Sequence, residues 1–392
     1  MTRDLRAFAL LAVTTLVSAC SDSSAGPEAP STLPGAPNAS AVKFWDANAA
    51  ANWNEQATSL AARQPVNVSR LYVYLSLAQL RAAEDAETIR PHPPTSSAIG
   101  AASAAVLSAY FPAFTAEIEA ALDAQEAADP WPGAKHQDAV AGEAIGRAAA
   151  ARVIAYSASD LVGLTDPGVP PIGPGYWVWN GGPIARGNLG ARPFFLSSGN
   201  EFRPPPPPAF GSPAYLAALA EVRQISDTRT PEQLAIAQYW NTNQSPTSNA
   251  AMNNLAVELI RGQRLGDHEA ARVLFLMNAA EFDALIGCFD AKYYYWFIRP
   301  PQADPAITLP IGLPPHPSYP SAHSCASGGA TGVLAAVFPN ESARLDSIAT
   351  EASLSRLYAG IHYRFDFVTG LALGRAVAAK AMAADLDAVA IR

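Results

Sequence analysis

The chain has 392 residues, enough to bury a large core as one domain or two closely packed ones. Its 26 Lys and Arg against 34 Asp and Glu give a formal charge of −8 with no basic stripe, which argues against a nucleic-acid partner. The six histidines (His92, His136, His268, His316, His323 and His362) show no compact metal-ligand spacing, so no cationic metal is expected.

In chain order, Arg3 and Arg6 precede an apolar run from Ala7 to Val17 that is short for a permanent membrane span and reads as an export leader, residues 1–19. Val17-Ser18-Ala19-Cys20 resembles a bacterial lipobox, which makes Cys20 the lipidation site; the plainer alternative is an ordinary secretory signal. The lipobox reading implies a cell-envelope lipoprotein, periplasmic or surface facing, held to the membrane by a lipid anchor and a flexible tether over 20–40. Removing the leader takes away Arg3, Arg6 and Asp4 and brings the charge to −9.

Ala-rich apolar periodicity predicts an N-terminal helical region, 41–162, with helices over 43–61, 67–90, 97–128 and 136–162. Residues 163–212 change character, with Tyr176-Trp177-Val178-Trp179, Gly181-Gly182 and five prolines from Pro204 to Pro208. That stretch is too rich in Pro and Gly for helix and too aromatic for a disordered linker, so it reads as an ordered excursion with an extended proline segment. Helices resume over 213–226, 231–242, 249–266 and 268–299, then 321–338, 341–358 and 362–389, forming a C-terminal region, 213–392. The fold class is all-α, a helical bundle.

Three blocks in this last region carry the chemistry. Lys292 and Arg299 are seven residues apart, about two helical turns, so one helix would aim both the same way. Pro320-Ser321-Ala322-His323 leads into a small apolar run and reads as a helix N-terminus, with Ser321 near the cap, backbone N–H groups facing an anion and His323 in the first turn. Ser355-Arg356 precedes His362 and Asp366, which are one helical turn apart; Asp366 can take the Nδ1 proton of His362 and leave Nε2 free to attack or ligate. Together the blocks supply three cations, two histidines and a carboxylate, the inventory of an oxyanion site.

Lys292-x6-Arg299-Pro300, Pro320-Ser321-Ala322-His323 and Ser355-Arg356-x5-His362-x3-Asp366 resemble the signature of the type 2 phosphatidic acid phosphatase/vanadium haloperoxidase superfamily, over about residues 230–385. The resemblance implies a helical-bundle core and an oxyanion site of Lys292, Arg299, Ser321, Ala322 and Arg356, with His362, His323 and Asp366 as the catalytic set. As a haloperoxidase, the chain would ligate vanadate through His362 and oxidise bromide or iodide with hydrogen peroxide, with His323 managing protons. As an acid phosphatase, it would form a phosphohistidine at His362 from a phosphate ester, with His323 protonating the leaving alcohol. A non-catalytic oxyanion-binding lipoprotein is the third reading, disfavoured because binding alone needs no paired acid and nucleophile.

The chain's length, Asp290-Ala291-Lys292-Tyr293 and above all His316-Pro317-Ser318-Tyr319-Pro320 resemble the haloperoxidase branch, and the resemblance makes His316 a halide-tuning residue. Ala322 departs from the family's glycine; a helical φ there makes the change cheap, and a positive φ makes it costly to anion affinity or peroxide access. Cys288 and Cys325 flank the blocks closely enough to pair or to remain two buried thiols.

Overall fold

A computed structural model describes residues 48–128, 134–241 and 248–386, which belong to one compact unit. The leader, Cys20, the tether and residues 43–47 of the first predicted helix lie outside the described residues. Among the described residues the architecture is all-α, with one isolated bridge between Tyr176 and Phe297 and no helix long and apolar enough to cross a membrane.

Five helices form the N-terminal part: α1 (Ala49–Arg63), α2 (Val68–Thr88), α3 (Thr95–Tyr110), α4 (Thr115–Ala128) and α5 (Ala134–Ala158). Asn48 and Asn67 start α1 and α2 by accepting the N–H groups of Ala51 and Arg70. The single helix expected over 97–128 is two. Pro112 has no N–H to donate and disfavours helical backbone at Phe111, so α3 ends and a 3₁₀ turn, Pro112–Phe114, leads into α4.

The C-terminal part holds α6 (Pro213–Thr228), α7 (Pro231–Tyr239), α8 (Ser248–Gln263), α9 (Asp267–Tyr295), α10 (Ala322–Val337), α11 (Ser342–Tyr358) and α12 (Arg364–Met382). Helix α9 is the axis of the molecule and buries residues on every side, packing on α2, α10 and α12. Helices α10 and α12 approach closely because they are rich in glycine. A Cβ on Gly374 would lie 2.3 Å from the Cys325 carbonyl, and one on Gly370 would lie 2.7 Å from Ser324 Cβ. This contact brings the start of α12 against the start of α10, where the Ser321 N–H donates to the Asp366 carbonyl at 3.0 Å.

The excursion over 163–212 contains neither helix nor strand and is strapped to α9 and the segment after it. The buried Asp283 carboxylate accepts the N–H groups of Phe194, Phe195 and Leu196. Arg203 forms a two-point ion pair with Asp290 and lies 3.9 Å above the Tyr294 ring. The proline run is held through its carbonyls: Tyr295 donates to Pro204 and Tyr319 to Pro205, each at 2.6 Å. Asp290 is thus an anchor for the excursion.

Candidate oxyanion site

Lys292 and Arg299 do not share a helix, contrary to the reading of 268–299 as one element. Helix α9 stops at Tyr295, Trp296 takes the left-handed conformation at φ 51°, and Arg299 is extended at φ −88°, ψ 152°. Pro300 disfavours helical backbone at the residue before it, so Arg299 has to leave the helix. The two side chains converge all the same, because both reach the segment 316–320.

Lys292 Nζ donates to the carbonyls of Pro317 (2.9 Å), Ser318 (2.8 Å) and Pro320, which uses all three of its protons. Arg299 is equally committed. Nε donates to the His316 carbonyl at 2.8 Å, Nη1 to the Ile361 carbonyl (2.8 Å) and His362 Nε2 (3.3 Å), and Nη2 to His316 Nδ1 (3.0 Å) and the Pro317 carbonyl (3.4 Å). A guanidinium only donates, so His362 Nε2 is an unprotonated acceptor, whereas His316 Nδ1 lies between the Arg299 donor at 3.0 Å and the Pro317 carbonyl at 3.1 Å.

The other face of His362 agrees. The imidazole precedes α12, which starts at Arg364 rather than at 362, and its Nδ1–H donates to Asp366 Oδ2 at 2.8 Å. The same oxygen accepts Ser318 Oγ–H at 2.6 Å and the Tyr363 N–H at 3.1 Å. Both partners are buried, and the imidazole is neutral, with its lone pair on Nε2.

Ser321 caps α10 by position, but its buried Oγ has no hydrogen-bond partner. Ala322 is the first residue of α10 with ordinary negative φ, so the methyl that replaces the family's glycine hydrogen brings no backbone strain; it packs beside Trp177, Phe289, Tyr293 and Trp296. His323 follows in the first turn, and its Nε2 is 2.8 Å from the Trp240 carbonyl at the end of α7. Arg356 donates from Nε to Ser355 Oγ and from Nη2 to the Ala237 carbonyl, both at 2.9 Å, leaving Nη1 without a partner among the described residues. Helix α7 therefore braces both His323 and Arg356 through its backbone, a role that no side-chain motif encodes. His316 is buried with its ring 5.3 Å from that of Phe289.

The electrostatics follow from burial. Desolvation lowers Lys292 to about 8, Arg299 to about 10 and, with repulsion from Arg299, Arg356 to about 9. His316 and His362 are driven well below the usual histidine range by desolvation and by Lys292 and Arg299; His323 falls to about 3 through desolvation and Arg356. Desolvation raises Asp366 to about 6 against the Ser318 hydrogen bond and the Lys292 charge. Three buried cations therefore face one buried carboxylate, a surplus of positive charge that a bound oxyanion would neutralise.

Ser318 is the functional candidate that the sequence reading passed over, although it lies inside the segment singled out for His316. It joins the Lys292 and His362 halves of the site, through its carbonyl to one and through Asp366 to the other. Cys288 and Cys325 are both buried and free, with Cys288 Sγ 3.7 Å from the Pro320 carbonyl that Lys292 also binds.

Residues 271–388 match the PAP2 superfamily. A bacterial vanadium-dependent iodoperoxidase superposes with a TM-score of 0.68 at 23% identity, over 87% of this chain and 96% of that one. A bacterial vanadium-dependent chloroperoxidase gives 0.62 in both its apo form (13% identity, 80% and 92% covered) and its holo form (14%, 81% and 91%). No curated protein matches. Residues 271–388 thus resemble the PAP2 superfamily, and the chain has the all-helical fold of the vanadium haloperoxidases.

Proposed function

We propose that this protein is a vanadate-dependent haloperoxidase that oxidises bromide or iodide with hydrogen peroxide. The observation that carries the reading is a neutral imidazole nitrogen, His362 Nε2, facing a buried surplus of positive charge. The residues fit a tetrahedral oxyanion. Nε2 offers the ligating lone pair, while Arg356 Nη1, Ser321 Oγ and the first N–H groups of α10 offer uncommitted hydrogen-bonding groups. Bound vanadate supplies the Lewis-acidic centre that makes peroxide electrophilic toward halide.

The protein's own groups then have distinct tasks. Asp366 holds the His362 proton on Nδ1, and Ser318 holds Asp366. Lys292 and Arg299 act mainly as fixed charge, since each must give up a carbonyl or imidazole partner to bind an anion oxygen directly. The net reaction consumes one proton per halide oxidised, and His323 at the start of α10 is the group placed to deliver it. Burial and the Arg356 charge hold its pKa down to about 3, and a bound anion would oppose the Arg356 contribution. His316 reaches the site through Arg299 and tunes its donors.

The PAP2 match supports a phosphatase as the second reading, with His362 Nε2 as nucleophile. The haloperoxidase reading is favoured by His316 sitting inside the cation cage and by the likeness to haloperoxidase structures across the N-terminal helices as well. Export and lipidation at Cys20, which would place the enzyme in the cell envelope, belong to the same proposal; loss of membrane association in Cys20→Ala tests them. The activity is tested by peroxide-driven bromide and iodide oxidation with and without orthovanadate, alongside hydrolysis of p-nitrophenyl phosphate. Oxidation that requires vanadate supports the proposal. Hydrolysis that vanadate inhibits, with no oxidation, would replace it with the phosphatase.

A further inference from the structure

Helices α9 and α10 run antiparallel and touch through small residues. A Cβ added to Gly329 would lie 3.2 Å from Ala284 Cβ and 3.0 Å from the Ala280 carbonyl, so nothing larger than glycine fits between the two backbones there. One turn along, Cys288 on α9 faces Cys325 on α10, each four residues from its own member of the Ala284–Gly329 contact. Both side chains are fully buried, and the Cys325 thiol is hydrogen-bonded to Cys288. The pair lies directly behind the oxyanion site, since Cys288 Sγ–H donates at 3.7 Å to the same Pro320 carbonyl that Lys292 Nζ binds. Leu285, Phe289, Ala322 and Ala326 line a cavity of about 380 Å³ on this helix contact, which brings a molecule the size of peroxide within one residue of either thiol.

We propose that Cys288 and Cys325 are a dithiol that hydrogen peroxide oxidises to a disulfide, stapling α9 to α10 behind the anion site. The step needs neither vanadate nor halide, so it stands apart from the haloperoxidase reading. A disulfide requires Cβ atoms about 3.5–4.5 Å apart, a separation that helices this close at Gly329 supply at the next turn. Cys288 is the attacking sulfur, because it touches the Pro320 carbonyl beside the Lys292 ammonium, which stabilises the charge that develops as the thiol proton leaves. Its sulfur takes one oxygen of the peroxide, the O–O bond breaks, and the thiol proton leaves with the other oxygen as water. Burial and the contact with Cys288 hold the Cys325 thiol well above its usual range, so it keeps its proton until the second step. There the Cys325 sulfur displaces the hydroxyl of the Cys288 sulfenic acid, and its proton departs with that hydroxyl as a second water. Two thiols and one peroxide give one disulfide and two waters. The staple fixes Lys292 relative to the first turn of α10, and it spares both sulfurs the higher oxides that peroxide forms on isolated thiols.

The test treats the purified full chain, reduced beforehand, with a small excess of hydrogen peroxide in the absence of vanadate and halide. Free thiols are then blocked under denaturing conditions, and intact mass and peptide maps are read. A loss of about 2 Da and a peptide pair joined through Cys288 and Cys325 are expected, both reversed by dithiothreitol. The oxidised protein should unfold about 3 °C or more above the reduced one, because the link constrains the unfolded chain. Cys325→Ala should stop at a sulfenic acid on Cys288, a gain of about 16 Da, trapped by dimedone. If that variant fails to fold, the wild-type map, its reversal and the unfolding midpoints carry the test. Two sulfurs still open to blocking, a link from either one to Cys20, sulfinic acid with no link, or an unchanged midpoint in linked protein would each overturn the proposal.

Discussion

Ser318 Oγ and His362 Nδ1 donate to the same oxygen of Asp366, at 2.6 and 2.8 Å. The serine thus competes with burial for the charge state of the carboxylate that orients the imidazole. Its hydrogen bond favours ionised Asp366, while desolvation pushes the pKa up to about 6. Ser318→Ala should raise that pKa further, so protonation of Asp366, which releases His362 Nδ1, begins at higher pH. The acid limb of the turnover profile should move upward in pH and turnover should fall about tenfold, with little change in halide KM. An unmoved acid limb would make Ser318 a packing residue.

Anion affinity should fall as pH rises through the Lys292 pKa and should hold or rise as Asp366 is protonated. Lys292 is charged below about 8 and loses its charge as pH rises through that value, and Asp366 loses its negative charge as pH falls through about 6. Sulfate stays a dianion across this range and is the clean probe. Its affinity should weaken above about 8 and should not weaken below 6, where protonating Asp366 only adds to the positive surplus. Affinity that is flat above 8 would remove Lys292 from the anion field.

His316→Phe should change halide preference. Arg299 Nη2 loses the imidazole it meets at 3.0 Å and keeps only the longer contact to the Pro317 carbonyl at 3.4 Å, which loosens the guanidinium beside His362. Bromide is harder to oxidise than iodide, so any loss of polarising power should appear there first, as a drop of about tenfold in the bromide-to-iodide rate ratio. Equal rates before and after the substitution would confine His316 to packing against Phe289.

Ala322→Gly should do little to the anion site. The position is helical, and either residue presents the same backbone N–H. Loss of the methyl should cost stability by about 0.5–1 kcal/mol, read by denaturant unfolding, with sulfate affinity changed less than about twofold. A gain of tenfold or more in affinity would show that the methyl obstructs the anion.

The site was legible in the sequence where side chains carry the signal through fixed spacing, as with Asp366 four residues after His362 or Ser321 at a helix start. It was misread where one local rule outweighed another. The helix expected over 268–299 ran through Arg299, yet Pro300 and the left-handed Trp296 end it first. Pro112 split α3 from α4 in the same way within an Ala-rich stretch. The carbonyls that saturate Lys292 and brace Arg356 and His323 belong to backbone far away in sequence, so no residue pattern announces them. The excursion over 163–212 read correctly as ordered, but its straps, Asp283 to three N–H groups and two tyrosines to the proline carbonyls, depend on tertiary contact.

The central claim is that His362 Nε2 holds the working anion. Its most direct test is iodide oxidation by hydrogen peroxide titrated with orthovanadate, in the wild type and in His362→Ala. The wild type should gain activity and saturate at one vanadate per chain, and the variant should lose at least about a hundredfold in turnover while keeping its fold. Equal vanadate-dependent turnover in the two proteins would contradict the account.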